Sequence, residues 1–415
     1  MNALLQPIQT NAQNDTRQDI SSGMVWLLAI ASGLIVANLY YAQTLVGPIS
    51  AATGLSPRAA GLIVTLTQIG YCLGLLFIVP LGDLLENRRL VVTLLLLTSG
   101  ALALAATASS PWLVLAAALG VGLASVAAQI IVPFAAHLSR EATRGQTVGK
   151  VVSGLLIGIM LARPVASLAA DHLGWHAVFV GAAAAMLALA FVLRHKLPRR
   201  LPAATLSYPR LLASMWRLFA STPVLRRRSA YHAGMFGAFS LFWTTAPLAL
   251  AGPEFGLSQT GIAIFALVGM AGAVASPVAG RLADAGHARS ATTAALLLGV
   301  ISFALPLLVP GARVVSLALL VAASIVLDMG VAANLVLGQR AIFVLGAEVR
   351  SRLNAIYFAL FFAGGALGSA LGAWVYAAHG WHGALVLGMA FPALALLYQL
   401  GEYAIEAAAP ARRAE

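Results

Sequence analysis

LGWHAVF occupies residues 173–179 and HGWHGAL residues 379–385, with 206 positions between matching residues. Each sits between two long apolar runs. The same offset relates Arg144 in ATRGQT to Arg350 in EVRSRL, and Gly158, Ala162 and Ala166 to Gly364, Gly368 and Gly372. An offset that persists over this length marks the chain as two copies of one unit in parallel orientation.

What each copy contains follows from composition. Hydrophobic residues make up 60% of the 415-residue chain and charged residues only 9%, against about 25% charged in a soluble domain. Such a chain cannot cover itself with a water-facing surface, so its solvent is lipid. A span needs about 20 apolar residues. Candidates fall at 23–46, 58–81, 89–108, 111–134, 147–170, 175–195, 229–251, 259–280, 288–309, 313–336, 353–377 and 382–402. The expected fold is an all-α membrane protein with twelve transmembrane helices in two pseudo-symmetric six-helix bundles. The expected organisation is a polar tail (1–22), a first bundle (23–195), a basic linker (196–228), a second bundle (229–402) and a second tail (403–415). The first apolar stretch is long and has no A-x-A site, so it is expected to be a retained span, not a removed signal.

The charges set the orientation. With the first tail in the cytoplasm, the cytoplasmic segments carry 22 of the 25 Lys and Arg, and the outer loops carry only Arg58 and Arg313. This is the positive-inside pattern. It places both termini in the cytoplasm, and an inner (plasma) membrane of a bacterium is the expected location. It also explains the net charge of +12 by membrane orientation, so nucleic acid is not an expected partner. A lone cysteine, Cys72, excludes an internal disulfide framework and a cysteine metal site. No cofactor or metal is expected, and the chain is expected to be a monomer.

PLGDLLENRRL (80–90) follows span two and VAGRLADAGHAR (278–289) follows span eight. Each has a glycine, an acid four positions on, then basic residues: Gly82, Glu86, Arg88 and Arg89, and Gly280, Asp284 and Arg289. Asp83 directly follows the first glycine. The glycine permits a tight turn. The acid can pair with the basic residues or a helix start, so the set can latch helix ends together in one state and release them in another. These paired loops resemble the signature of the major facilitator superfamily, in which a G-x-x-x-D-R-x-G-R-K-like loop follows spans two and eight. The second loop matches up to GRLADAG, and the first has ENRR in place of D-R-x-G-R-K. The resemblance implies a major facilitator fold of two bundles rocking about a central site. It also implies a cavity lined by spans one, four, seven and ten, with two against eleven and five against eight at the bundle interface. Proton-coupled exporters of the superfamily often carry G-x-x-x-G-P in span five. This chain has Gly158, Ala162, Arg163 and Pro164, with an arginine where that glycine stands.

Arg163 and Asp328 are the two charges left inside spans. In the repeat register Arg163 matches Ser369 and Asp328 matches Gly122, so each charge belongs to one half only. A charge at the centre of a span costs about 2.5–3.5 kcal/mol on insertion scales, so it faces the interior and marks function by default. Arg163 is expected to anchor an anion or to tune a neighbouring acid, unless it is bonded to carbonyls freed by Pro164. An acid as deep as Asp328 can exchange protons near neutral pH. Counted from the outer ends, Arg163 lies about 10 Å deep and Asp328 about 22 Å, which separates them unless the boundaries shift by a turn or two.

Other polar residues within spans are the expected cavity wall: Asn38, Tyr41, Gln68, Gln129, Trp243 and Asn334, with Phe239 and Phe242 as aromatic neighbours. The spaced small residues at Gly70 and Gly74, and at Gly364, Gly368 and Gly372, suit either a sliding bundle interface or static packing. The amphipathic stretch 210–221 is expected on the inner membrane surface. No metalloprotease H-E-x-x-H, no G-x-S-x-G in a span and no G-x-x-x-x-G-K loop is present, so neither an enzyme nor an ATP-driven pump is expected. The expected function is secondary transport of a small organic solute by alternating access, as proton-coupled efflux. The alternatives are a uniporter or importer of a sugar, amino acid or organic acid, and a non-transporting receptor or scaffold.

Overall fold

A computed structural model describes residues 20–141, 143–202, 207–308, 313–346 and 349–408. Among them the regular structure is entirely helical. Ten membrane-length helical stretches come first: Ser22–Thr53, Leu62–Asp83, Asn87–Thr107, Pro111–Leu138, Arg144–Leu173, Trp175–Lys196, Pro223–Ala251, Gln259–Asp284, Ala288–Leu307 and Arg313–Phe343. An eleventh, Arg350–Tyr403, runs for 54 residues, more than twice what a bilayer needs. It is two spans meeting at Gly380, whose φ of 66° and ψ of −163° leave the helix. Gly174 makes the same corner between spans five and six, with φ 81° and ψ 156°. Both conformations favour glycine because a Cβ would clash there. The duplicated G-W-H motif is thus a pair of glycine corners at matching places, and the spans among the described residues number twelve.

Several span ends lie beyond the expected ones. Span five starts at Arg144 and ends at Leu173, and span seven starts at Pro223. Pro223 fits the first helical turn, where its missing N–H costs nothing. Arg226, Arg227 and Arg228 therefore belong to the first turns of span seven and not to an open connector. Their long stems let charged heads reach the polar layer from a helix. The last helix continues to Ala408, past the expected end at 402.

Four spans are broken midway. Span one breaks at Asn38–Tyr40, between Ser22–Ala37 and Tyr41–Thr53. Span two widens into a π turn at Gly74–Ile78 and then tightens into a 3-10 turn at Val79–Asp83. Pro80 cannot donate to the preceding turn, which accounts for that irregularity. Span four breaks at Ser125, and span eight has a 3-10 turn at Met270–Val274 just before Pro277.

The small-residue stripes pack inside each half, not between the halves. A Cβ on Gly158 would lie 2.2 Å from the Gly33 carbonyl oxygen of span one, and one on Gly364 would lie 2.2 Å from the Ala233 carbonyl oxygen of span seven. Gly70 likewise meets the Leu119 carbonyl oxygen of span four. These glycines fasten span five to span one, span eleven to span seven and span two to span four, which corrects the sliding-interface alternative.

The halves meet along other residues. Thr65 Oγ1 and Ser369 Oγ are 2.8 Å apart between spans two and eleven. Asp171 accepts from Thr260 between spans five and eight. Val46, Ala60, Val64 and Leu248 form an apolar cluster joining spans one, two and seven. All these contacts lie at the face opposite the linker. At the linker face, the helix Tyr208–Ser221 does not simply lie on a membrane surface. Its Leu211 and Met215 are buried, and Met215 packs with Ile342, Leu353 and Ile356 at the ends of spans ten and eleven. Trp216 on its other side is exposed.

Candidate functional site

Span five runs unbroken through Pro164, and Arg163 lies on its inward side, 3% exposed. Its guanidinium carbon is 4.0 Å from the Trp243 ring centroid and 4.9 Å from that of Phe239, both on span seven. A desolvated cation over an aromatic face gains about 2 kcal/mol or more. Two rings therefore offset much of the cost of placing the charge here. Neither Nε nor Nη1 finds a hydrogen-bond acceptor among the described residues. Carbonyls freed by Pro164 are not what holds this arginine. Aromatic faces hold it, and its N–H edge is left open.

Trp243 is fully buried. Its Nε1 donates to Asp328 Oδ1 on span ten at 3.3 Å. The indole thus touches Arg163 with its face and Asp328 with its N–H. The two charged groups form no direct ion pair. The broken stretch of span eight backs this arrangement, because a Cβ on Gly272 would lie 2.6 Å from Asp328 Cβ. Gly269 faces Trp243 in the same way, at 3.1 Å. The depth count had set the charges further apart. With span five ending at Leu173, Arg163 is about 15 Å deep rather than about 10 Å, and its long side chain covers most of the rest.

Around this core lie groups from the other cavity spans. Tyr40, at the break of span one, and Asp328 both act electrostatically on Arg163. Gln129 of span four donates to the Tyr71 hydroxyl at 3.1 Å. Tyr71 packs against Phe362 of span eleven with the rings tilted by 56° and centroids 4.5 Å apart. From there Phe362, Phe236 and Phe239 form a continuous aromatic wall up to Trp243. Gln68 Nε2 donates to Ser240 Oγ at 2.6 Å across spans two and seven. The structure therefore brings Arg163, Asp328, Trp243, Gln68 and Gln129 into one central region with Tyr40, Tyr71 and Phe239.

Other expected cavity residues are placed differently. Asn38 Nδ2 donates to the Leu34 and Ile35 carbonyls and contacts Met186 of span six. That amide caps the break of span one and turns into its own bundle, which removes its nitrogen from the cavity wall. Tyr41 is partly buried and packs with the apolar core. Asn334 is buried, with no partner for Nδ2 among the described residues.

The loop residues pair within their own halves, except Asp83, which faces Arg352 of span eleven. Glu86 meets Arg88 at 3.7 Å, and Arg88 donates to the Arg194 and Leu197 carbonyls. Gly82 offers its carbonyl to Asn87, and Asp83 lies in the field of Arg352 and Arg200. Arg89 is exposed. Asp284 pairs with Arg340 at the end of span ten, not with Arg289. Arg289 lies over the Tyr403 ring at 4.8 Å, and Arg340 packs against Gly280.

One buried polar cluster carries no repeat signal. His232 of span seven is fully buried, hydrogen-bonds through Nδ1 to the Tyr357 hydroxyl and rests on Phe361. One residue nearer the linker, Tyr231 donates to Glu402, which also binds Arg227 at 2.7 Å. A histidine inside an apolar span was the available sign.

Comparison with known proteins bears on the fold and the family. The family model described as Major Facilitator Superfamily matches residues 25–342 and 235–414. The chain is 39% identical over 379 residues to the putative uncharacterized transporter YgaY of Escherichia coli strain K12, covering 91% of this chain and 95% of that one. It is 33% identical over 365 residues to the probable transporter SCO4007 of Streptomyces coelicolor, covering 86% and 82% of the two chains. Among solved structures, an inward-facing bacterial homologue of the lysosomal transporter Spinster superposes with a TM-score of 0.70 at 16% identity, over 91% of this chain and 96% of that one. The nucleoside transporter NupG, as a D323A mutant, gives the same TM-score and identity over 91% and 99%. The duplicated twelve-span body, the paired loops and these matches together establish the chain as a multi-pass membrane transporter belonging to the Major Facilitator Superfamily.

Proposed function

We propose that this transporter couples export of a small organic solute to proton entry, with Asp328 as the proton carrier and Arg163 as the fixed charge against which it works. One observation carries the reading: a single indole ring joins an arginine of the first half to an aspartate of the second. An ionised Asp328 holds Trp243 by a charge-assisted hydrogen bond, and Trp243 holds Arg163. Protonation weakens the first link, within the second half, and so frees the indole whose face holds Arg163 of the first half. A solute acceptor that takes the open N–H edge of Arg163 competes with the same assembly. Each ligand then shifts the balance between the two access states by its differential affinity for them. The aromatic wall of Tyr71, Phe236, Phe239 and Trp243 suits a solute with an apolar or aromatic body. The arginine edge suits an anionic or acceptor group on it.

Efflux rests on the Gly158–Pro164 element of span five, which resembles that of proton-coupled exporters but departs from it by carrying Arg163 where their glycine precedes the proline. The linker and both termini are assigned to the cytoplasm from the distribution of Lys and Arg, in a bacterial inner membrane. The working unit is taken as the monomer, since each half supplies one of the two charges.

The test starts with a growth and toxicity screen of an overexpressing strain to identify a solute. The purified chain is then reconstituted in vesicles containing a pH dye. Solute movement is expected to shift the internal pH, and Asp328→Asn is expected to remove that shift while the protein still folds. Solute flux with no pH change in the unaltered chain means uniport, and coupled flux that survives Asp328→Asn removes the aspartate from the proton path.

A further inference from the structure

We propose that a groove between the start of span three and the end of span six binds the phosphate of an anionic phospholipid, with an acyl chain lying along Val92 and Leu96. The groove encloses about 700 Å³ and is lined by Arg88, Arg89, Arg194 and Arg199, with Val92 and Leu96 on its apolar side. Its one acid, Glu86, is already engaged by Arg88. The guanidinium groups of Arg89, Arg194 and Arg199 have no partner among the described residues and are exposed. Three uncompensated cations around one depression repel each other within a Debye length of about 8 Å, so the arrangement favours an anion that several of them can share.

Position selects the kind of anion. Arg89 stands in the first turn of Asn87–Thr107, and Arg194 in the last turn of Trp175–Lys196. Both lie at the level where helices leave the hydrocarbon. Leu96, Leu97 and Phe191 on the same two spans are exposed, which marks this side as lipid-facing. Basic clusters at the ends of spans attract anionic headgroups, and guanidinium forks match phosphate oxygens in pairs. A free phosphate would use the cations but not the apolar wall, whereas a phospholipid uses both. The site lies on the outside of the first half, apart from the central residues, and does not depend on the coupling mechanism.

Native mass spectrometry of the full chain in detergent tests this, using phosphatidylglycerol and phosphatidylcholine with identical acyl chains. Phosphatidylglycerol is expected to bind roughly tenfold or more tightly than phosphatidylcholine. The triple variant Arg89→Gln, Arg194→Gln, Arg199→Gln is expected to bring the two lipids level. Arg199→Gln alone lies outside the helices, where folding is not at stake, and is expected to cause a several-fold loss. Soluble glycerol phosphate at matching concentration is expected not to displace the lipid. Equal binding of both lipids, undiminished phosphatidylglycerol binding by the triple variant, or displacement by glycerol phosphate would each overturn the proposal.

Discussion

The Arg163 guanidinium lies face-on to the Trp243 ring at 4.0 Å, and the contact joins span five of the first half to span seven of the second. Charge alone does not make this contact, because a planar guanidinium stacks where an ammonium does not. Arg163→Lys keeps the charge but loses the stacking plane and the open N–H fork. Transport is expected to fall about tenfold or more, as befits a desolvated cation–π pair of roughly 2 kcal/mol. Arg163→Leu is expected to abolish it. The measurement is initial flux in vesicles, normalised to folded protein. Full flux in both variants would reduce Arg163 to packing.

Trp243 has two jobs that substitution can separate. Trp243→Phe keeps an aromatic face for Arg163 but removes the donor to Asp328. Hydrogen bonds between spans average about 0.6 kcal/mol, so the loss in flux is expected to be a few-fold. Its signature is an altered dependence of flux on pH. Trp243→Leu removes the face as well and is expected to cost a further tenfold or so. Equal effects from the two variants would mean that the indole N–H carries no coupling.

Much of the fold was legible because membrane chains announce themselves locally. The two G-W-H motifs marked the span junctions at which Gly174 and Gly380 turn, and the apolar runs gave the span count, which the Lys and Arg distribution tested. Where local signals failed, a physical competitor is visible. The Arg226–Arg228 run looked like a loop, yet it sits on a helix because arginine stems let the charge leave while the backbone stays helical. Arg163 and Asp328 could be found singly, since a charge inside a span is rare. Their link through Trp243 could not, because a contact between halves has no periodicity and depends on where spans one, four and eight break. His232 escaped for the same reason: its partner Tyr357 is 125 positions away.

At the linker face, Asp284 and Arg340 form an exposed pair, 66% and 45% accessible at their side chains. Exposed pairs contribute about 0–1 kcal/mol, so Asp284→Ala is expected to leave the melting temperature nearly unchanged. We expect its effect on transport rate, if the pair orders the loop after span eight as that half moves. The charge exchange Asp284→Arg with Arg340→Asp is then expected to restore flux lost by either single change. A melting shift of many degrees in Asp284→Ala would make the pair a structural clamp. Unchanged flux in every variant would remove it from gating.

The glycine contacts give a test of the architecture that needs no substrate. Gly158 and Gly364 occupy matching places in the two halves, and a methyl on either would press on a neighbouring backbone oxygen at 2.2 Å. Backbone cannot step aside as a flexible side chain can, so the helices must part. Overpacking of this kind costs about 1–3 kcal/mol. Gly158→Ala and Gly364→Ala are therefore each expected to lower the melting temperature in detergent, by similar amounts. Gly100 and Gly181 are helical too, but a methyl there meets nothing within 4 Å. Their alanine variants are expected to be neutral or more stable by up to about 1 kcal/mol, from helix propensity alone. If all four variants melt together, the close approach of span five to span one, and of span eleven to span seven, is not present in the protein.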